Sequence, residues 1–374
     1  MLATAGGLAV GLAAGWNIAN TGAIARPLAD AYGVSLAAVG LLTTALFVTH
    51  FGAQLPGGRA IDRIGARRAG LASIVVILCG NAVALLSTSF GLALVARLLT
   101  GIGTGTGFVA GSDYVRSAGG TPTAQGLYGG ASIAGGGLAI AIVPLLDAPL
   151  GWRAAYWTAL VVAAALAIVL AAAPADERHP AQAQSTPLAG VVKDRGLYPL
   201  AVLHTASFGL SVIAGNWIVD LLENDGYSRR IGGLVGGLVL QLGLITRPLG
   251  GWVSRTQPYR SAALLVASIV AGSLALAVLA TPAPLGLLAA AAAVAGLAAG
   301  VPFATAFAGA QRRRPDAPAA AIGLVNAAAT VTIVVGTPLV GLTFSLVGHG
   351  RIGFGILAAL WLGALAAVRS VARA

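Results

Sequence analysis

A short segment between two apolar stretches holds residues whose types and spacing could do chemistry. It reads GGRAIDRIGARR over residues 57–68, with the carboxylate of Asp62 set among arginines. A carboxylate at a helix end can face the positive end of another helix, and glycine permits tight turns and close backbone approach. The segment therefore predicts a charged junction between helix ends. The residues expected to form it are Gly58, Asp62, Arg63, Gly65, Arg67 and Arg68.

Arg97 is an arginine inside an apolar stretch rather than between two stretches. It lies about six residues into the stretch, which is roughly 9 Å deep at the helical rise. A charged side chain at that depth is costly and usually faces a cavity or a partner. We expect Arg97 to pair with Asp30 or with a substrate carboxylate. A structural or snorkelling arginine is the alternative.

Polar side chains recur at helical spacing within several apolar stretches. Residues three and four apart share a helix face, as Asn17 and Asn20 do. Such side chains either line a cavity or bond neighbouring helices, because polar groups do both in membranes. The candidate cavity residues are Asn17, Asn20, His50, Gln54, His204, Asn216, Trp217, Gln241, Asn326 and Thr330.

His50 and His204 are the histidines inside apolar stretches. Histidine titrates near neutral pH, so either could carry a proton, and a histidine bonded to a neighbouring helix is the alternative. The four histidines and the single Cys79 lack the spacing of a metal site. We expect neither a metal nor a cofactor.

The composition identifies the elements that must position these residues. The 374 residues are 57% hydrophobic and 9% charged, whereas soluble domains are about 25% charged. Because an open sheet cannot satisfy its backbone in lipid, the apolar stretches predict helices. We therefore predict an all-α integral membrane protein with twelve transmembrane helices. The predicted spans are residues 3–25, 36–55, 69–87, 91–111, 126–146, 154–173, 198–222, 231–246, 262–281, 285–308, 319–343 and 353–368.

The charge distribution sets the expected orientation. The net charge of +11 would suggest nucleic acid on a soluble domain, but these cations lie between apolar stretches. Most of the 22 lysines and arginines fall on the side that holds both termini, which predicts cytoplasmic termini. We expect a multi-pass protein of a bacterial inner (plasma) membrane, with the lipid bilayer and not nucleic acid as its partner.

A polar segment over residues 174–197 divides the chain near its middle. Its proline, serine and mixed charge predict a cytoplasmic linker. It would join an N-terminal six-helix bundle, residues 1–173, to a C-terminal one, residues 198–374.

The two halves repeat at offsets of about 190 residues, as duplicated transporter bundles do. The matching positions are Gly58 with Gly250, Gly101 with Gly296, Gly105 with Gly300, and Pro144 with Pro338.

The segment over residues 57–68 resembles the signature loop of the major facilitator superfamily, G-x-x-x-D-R-x-G-x-R-R, at all six positions named above. Arg97 and Gly101 resemble a second motif of that family, R-x-x-x-G, which is associated with proton coupling. The second-half copy of the loop departs from the pattern, with Ser254 in place of the acid. The resemblance implies two pseudo-symmetric six-helix bundles around a cavity lined by helices 1, 2, 4, 5, 7, 8, 10 and 11. It also implies that Asp62 latches the outward-open state against helix 11.

We therefore expect a secondary transporter and not an enzyme. It would move a small-molecule substrate by alternating access as a monomer, with protons as the coupling ion. One buried cation and no clear midplane acid favour an organic anion or a neutral polar or amphipathic solute. The nitrate porters of this superfamily carry an arginine in both helix 2 and helix 8. Here the second predicted span has no arginine and Arg247 lies only at the end of the eighth, so nitrate is not expected.

Other functions stay open at this point. A drug or metabolite efflux pump would suit a pocket of aromatic residues, and an integral membrane enzyme would need a convergent set of acids, bases or metal ligands. The aromatic candidates are Trp16, Phe47, Tyr128, Trp217 and Phe303.

Overall fold

The computed structural model describes residues 2–117, 122–175, 188–256 and 258–372, and these residues fold almost entirely into helices. Ten helices among them are long and apolar enough to cross a membrane, or eleven if the bent pair Thr4–Ala19 and Gly22–Tyr32 is one span. One of these, Thr123–Ala172, joins two helices through short helical turns. With the bent pair taken as one span and these two helices counted separately, the described residues contain twelve spans, as predicted.

We number the twelve spans in chain order. They are α1 Leu2–Ala19, α2 Leu36–Ile64, α3 Ala66–Ala84, α4 Phe90–Ser117, α5 Pro122–Ile142, α6 Ala154–Ala172, α7 Leu197–Asn224, α8 Arg229–Gln241 with Gly243–Thr256, α9 Pro258–Leu279, α10 Leu285–Arg313, α11 Pro318–Leu342, and α12 Arg351–Gly363 with Leu365–Ala372.

Matched serine caps begin α2 and α8. The Ser35 hydroxyl accepts from the Ala38 amide at 3.2 Å, and the Ser228 hydroxyl accepts from the Ile231 amide at 3.4 Å. Such caps satisfy amides that the first helical turn leaves free. The two serines stand at the offset of the sequence repeat, so both helices begin in the same way.

Glycines set the close approach of α4 to α2 and of α10 to α8. A Cβ on Gly105 would stand 2.1 Å from the His50 carbonyl oxygen, and one on Gly296 would stand 2.1 Å from the Leu238 carbonyl oxygen. Small residues allow such close packing of spanning helices. The glycine repeat in the sequence therefore corresponds to repeated helix packing.

Two seams join the first half, residues up to 175, to the second half, residues from 188. In one seam α2 packs on α11, where the Thr44 hydroxyl donates to the Val334 carbonyl at 2.7 Å. In the other, α5 packs on α8, where the Gln241 amide donates to the Gly137 carbonyl at 3.1 Å. Most of the predicted linker, residues 176–187, lies outside the described residues, and the domain boundaries stay a prediction.

Six spans in each half place the described chain ends, Leu2 and Ala372, and residues 175 and 188, which flank residues 176–187 of the predicted linker, on one face. We call this the linker face and the opposite one the distal face. The distal face carries the α1–α2, α3–α4, α5–α6, α7–α8, α9–α10 and α11–α12 connections.

Candidate functional site

A narrow central cavity lies between the two halves and offers about 30 Å³ to the centres of water-sized molecules. Side chains of α1, α2, α4, α5, α7, α8, α10 and α11 line it, which are the helices that the family resemblance implies. The lining residues are Ala14, Gly15, Ile18, His50, Phe108, Ser132, Ile133, His204, Phe208, Arg247, Phe303, Phe307 and Asn326.

Three of the predicted cavity residues line this space: His50, His204 and Asn326. His50 Nδ1 bonds the Thr104 hydroxyl at 3.0 Å, and His204 Nε2 bonds Asn326 Oδ1 at 3.1 Å. His204 Nδ1 is buried and has no hydrogen-bond partner. Each histidine is thus anchored at one nitrogen by a neighbouring helix.

Aromatic rings surround His204. Its ring stacks on Phe208 at 5.6 Å between centroids and meets Phe307 edge-on at 4.8 Å. Phe303 and Phe307 stack on each other at 4.5 Å. The second-half wall of the cavity is therefore mainly aromatic.

Arg247 is a cavity residue that the sequence analysis placed wrongly. The predicted span ended at residue 246, whereas the helix continues from Gly243 to Thr256 and buries Arg247 to 2% exposure. Its Nη1 donates to the Gly129 carbonyl on α5 at 2.6 Å. Its guanidinium carbon lies 4.1 Å from the centre of the Phe303 ring.

Arg97 lies away from the cavity, inside the first half. Its Nε donates to the Leu42 carbonyl at 3.3 Å, its Nη1 to Asn20 Oδ1 at 3.3 Å, and its Nη2 to the Asn17 carbonyl at 2.5 Å. These contacts tie α4 to α1 and α2. Asp30 is exposed, and the described contacts of Arg97 do not include it, so the structure favours the structural alternative.

Several other predicted cavity residues bond neighbouring helices. Asn17 Oδ1 accepts from Asn81 at 2.9 Å, and Asn20 donates to the Ala155 carbonyl at 3.0 Å. Trp217 donates from its indole nitrogen to the Thr337 carbonyl at 2.8 Å.

The remaining predicted residues divide among three places. Asn216 joins the halves, since it accepts from Thr43 at 3.1 Å and donates to the Ile18 carbonyl at 3.2 Å. Gln241 lies in the α5–α8 seam. Thr330 bonds its own helix at the Asn326 carbonyl at 3.1 Å, and Gln54 is partly exposed with its Nε2 unbonded.

A charged network at the distal face joins the halves, and the sequence analysis did not anticipate it. Arg26, after α1, lies 3.4 Å from Asp220 and 3.6 Å from Glu223, both on α7. Arg229 on α8 lies 3.0 Å from Glu223 and pairs with Asp147 of the α5–α6 connection. These contacts join the two halves at the distal face.

The α2–α11 seam opens toward the linker face. No atom lies within 4 Å of a Cβ built on Gly52 of α2 or on Gly323 of α11, and Phe51 is 43% exposed. Near the distal face, by contrast, a Cβ on Gly40 would stand 2.9 Å from Pro338. The α2–α11 seam is therefore packed more tightly near the distal face than near the linker face.

The junction that the sequence predicted between helix ends lies at the linker face. Gly65, with φ of 87°, separates α2 from α3, and Arg67 donates to the Leu170 carbonyl at 3.2 Å. Arg63 and Arg68 are exposed, and a Cβ on Gly58 would meet nothing. The side chain of Asp62 lies outside the described side chains.

The described residues contain no group of three or more His, Cys, Asp or Glu side chains that could hold a metal ion. The polar and aromatic groups of the cavity lining are one arginine, two histidines, one serine hydroxyl, one amide and four phenylalanine rings.

Paired helical halves around a central cavity are the layout of a membrane transport protein. The family description Major Facilitator Superfamily matches residues 7–337, and the chain belongs to this superfamily. Its fold is similar to a crystal structure of the nucleoside transporter NupG, with a TM-score of 0.74, 16% identity, and coverage of 99% of this chain and 98% of that one. No curated protein matches the chain.

Proposed function

We propose that this chain is a secondary transporter that moves a small organic solute by alternating access. The observation that carries the proposal is the central cavity between the two halves, with cross-half ion pairs on its distal side and looser α2–α11 packing on the other. A solute could enter from the linker face and leave at the distal face after the halves rock about the cavity.

The signature loop would act in the opposite state. When the distal face opens, the linker-face ends of α2 and α11 would approach each other. Asp62 would then stand at the closing seam, in the latch role that the family resemblance implies.

Protons are the proposed coupling ion. His204 is the proposed proton carrier of the two cavity histidines, because its buried Nδ1 has no hydrogen-bond partner. Arg97 and Asp30 would not form the coupling pair, since Arg97 is already bonded to three oxygens of α1 and α2.

We propose that the protein lies in a bacterial inner membrane with both termini cytoplasmic. The arginine-rich signature loop lies at the linker face, and cytoplasmic loops carry excess positive charge. The distal network would then face outward. Because one chain supplies the whole cavity lining, the proposed functional unit is a monomer.

Efflux of apolar drugs or metabolites is the second candidate function. The aromatic wall of Phe208, Phe303 and Phe307 favours it. The similarity to NupG shows only the fold, so nucleosides are one of the solute classes to be tested.

Uptake into proteoliposomes tests the proposal. The purified chain would be reconstituted, and pools of aromatic acids, amino acids, sugars, nucleosides and cationic dyes would be offered with and without an imposed pH gradient. Gradient-driven accumulation of one pool supports a coupled transporter. Broad movement of apolar dyes supports efflux. Movement of no pool in either orientation would contradict both.

A further inference from the structure

Arg247 carries two buried nitrogens that no described group satisfies. Nε and Nη2 have no hydrogen-bond partner, while Nη1 is held by the Gly129 carbonyl. An unpaired buried charge is strongly unfavourable, and an ionisable group inside a membrane is a candidate functional group. We therefore expect a ligand to bind these two nitrogens.

The geometry of the guanidinium says which ligand fits. Nε and Nη2 share one edge of the planar group, and that edge can receive both oxygens of a carboxylate. The Phe303 ring covers one face at 4.1 Å, and the Gly129 bond fixes the remaining nitrogen. The Nε–Nη2 edge is thus held in position before a ligand arrives, and because both nitrogens are buried, the narrow cavity must widen for a ligand to reach them.

The charges around the cavity also indicate an anionic ligand. Its lining includes no aspartate or glutamate, and Arg247 has no ion pair among the described residues. The acidic residues Asp220 and Glu223 belong to the distal network with Arg26 and Arg229. A counter-charge for Arg247 would have to come from the solute.

The rest of the lining suits an aromatic body. Phe208, Phe303 and Phe307 surround His204 on the second-half side, and Phe108 lies across from them. Aromatic rings bind other rings by stacked or edge-on contact. A single arginine matches one carboxylate, whereas a second carboxylate would have no cation to pair with.

We propose that the cavity binds small aromatic monocarboxylates, with the carboxylate on the Nε–Nη2 edge of Arg247 and the ring among the phenylalanines. This inference rests on the proposed transport function and narrows its substrate to one chemical class. It assigns to Arg247 the substrate contact that the sequence suggested for Arg97.

Titration calorimetry on the purified full chain tests the inference with three matched probes: benzoate, neutral benzamide and cationic benzylamine. Benzoate is expected to bind at least about tenfold more tightly than benzamide, because it adds two charge-assisted hydrogen bonds. Benzylamine is expected to bind more weakly than either. Equal affinities, or no benzoate binding, would overturn the anion site.

Variants locate the contact. Arg247→Gln is expected to lower benzoate affinity to that of benzamide, and Arg247→Lys to keep a reduced preference because it retains charge without the fork. The matched control is Arg97→Gln, a second buried arginine outside the cavity, which is expected to keep the wild-type ratio. An unchanged ratio in both Arg247 variants would overturn the assignment. If Arg247→Gln does not fold, the benzoate-to-benzamide affinity ratios of the wild type and of Arg247→Lys still test the assignment.

The result is separable from the transport proposal. Selective benzoate binding without transport of any pool would overturn the transport function and keep the anion site. Transport of a neutral or cationic pool without benzoate preference would overturn the anion site and keep the transport function.

Discussion

Two buried arginines of this chain differ in how many of their guanidinium nitrogens are hydrogen-bonded. Arg97 uses all of its nitrogens on oxygens of α1 and α2, whereas Arg247 leaves two nitrogens unbonded at the cavity. Both side chains are buried, with 1% and 2% exposure, so burial alone does not identify a substrate contact. What separates them is the number of internal acceptors, which a sequence does not show.

Arg97→Gln should destabilise the protein rather than block the cavity. The change leaves buried oxygens of Asn17, Asn20 and Leu42 without their donors, at a cost of about 1–3 kcal/mol for each unsatisfied group. We expect a lower thermal midpoint in detergent, with transport per folded molecule close to wild type. A variant with wild-type stability and no transport would contradict this role.

His204→Gln should separate coupling from solute movement. Glutamine retains a partner for Asn326 but cannot take up a proton. We expect loss of accumulation driven by a pH gradient, while solute exchange at equal pH continues. His50→Gln is the matched control, because His50 bonds Thr104 on the opposite wall. Full gradient-driven accumulation by His204→Gln would exclude His204 as the proton carrier.

Residue identity predicted part of the site. His50 and Asn326 were found because they are polar residues at helical spacing in apolar stretches, and His204 because it is a histidine inside such a stretch. Others on the same criterion, such as Asn17 and Trp217, bond neighbouring helices instead. Periodicity gives a helix face, but which neighbour that face meets depends on packing between distant segments.

At the scale of elements, two helices continue past prolines that stand just beyond the ends of the predicted spans. α2 contains Pro56 and α8 contains Pro248, although proline disfavours helix at the preceding residue. The predicted spans stopped just before each proline, and Arg247 was therefore placed outside the membrane. The two prolines stand at the repeat offset, so the internal repeat was the signal that could have extended both helices.

Gly105→Ala should weaken the packing of α2 on α4. The added Cβ would meet the backbone carbonyl of His50 at 2.1 Å, which cannot move without shifting the helix. Overpacking of this kind costs about 1–3 kcal/mol, and we expect a lower thermal midpoint. Gly323→Ala is the control, since its Cβ would meet nothing. Equal midpoints for both variants would refute the packing account.

Arg26→Gln should loosen the closed distal face. The change removes the contacts with Asp220 and Glu223 that join the halves, and partly exposed ion pairs contribute up to about 1 kcal/mol each. We expect faster reaction of a cysteine placed at Thr43, in a Cys79→Ser background, with an impermeant reagent from the distal side.

Arg153→Gln is the control for that experiment. Arg153 is another arginine of the distal connections, and its described contact is with Trp152 of the same half. Equal reaction rates in the Arg26 and Arg153 variants would show that the Arg26 network does not hold the face closed.

At the scale of the whole molecule, the fold was predictable and the state was not. Low charge, twelve apolar stretches and the loop over residues 57–68 led to the superfamily that the family match confirms. Which face is closed depends on contacts between halves, such as Arg26 with Asp220. These contacts join residues nearly two hundred positions apart, and helical spacing does not pair residues that far apart.

The central claim is that solute crosses the membrane through the cavity between the halves. Uptake by proteoliposomes containing Asn326→Trp tests it most directly, because the indole would fill the cavity from α11. The matched control is Val331→Trp on the same helix, where the side chain is 60% exposed on the outside of the bundle. We expect wild type and Val331→Trp to transport the same pool and folded Asn326→Trp to lose that transport. Wild-type transport by folded Asn326→Trp would contradict the account.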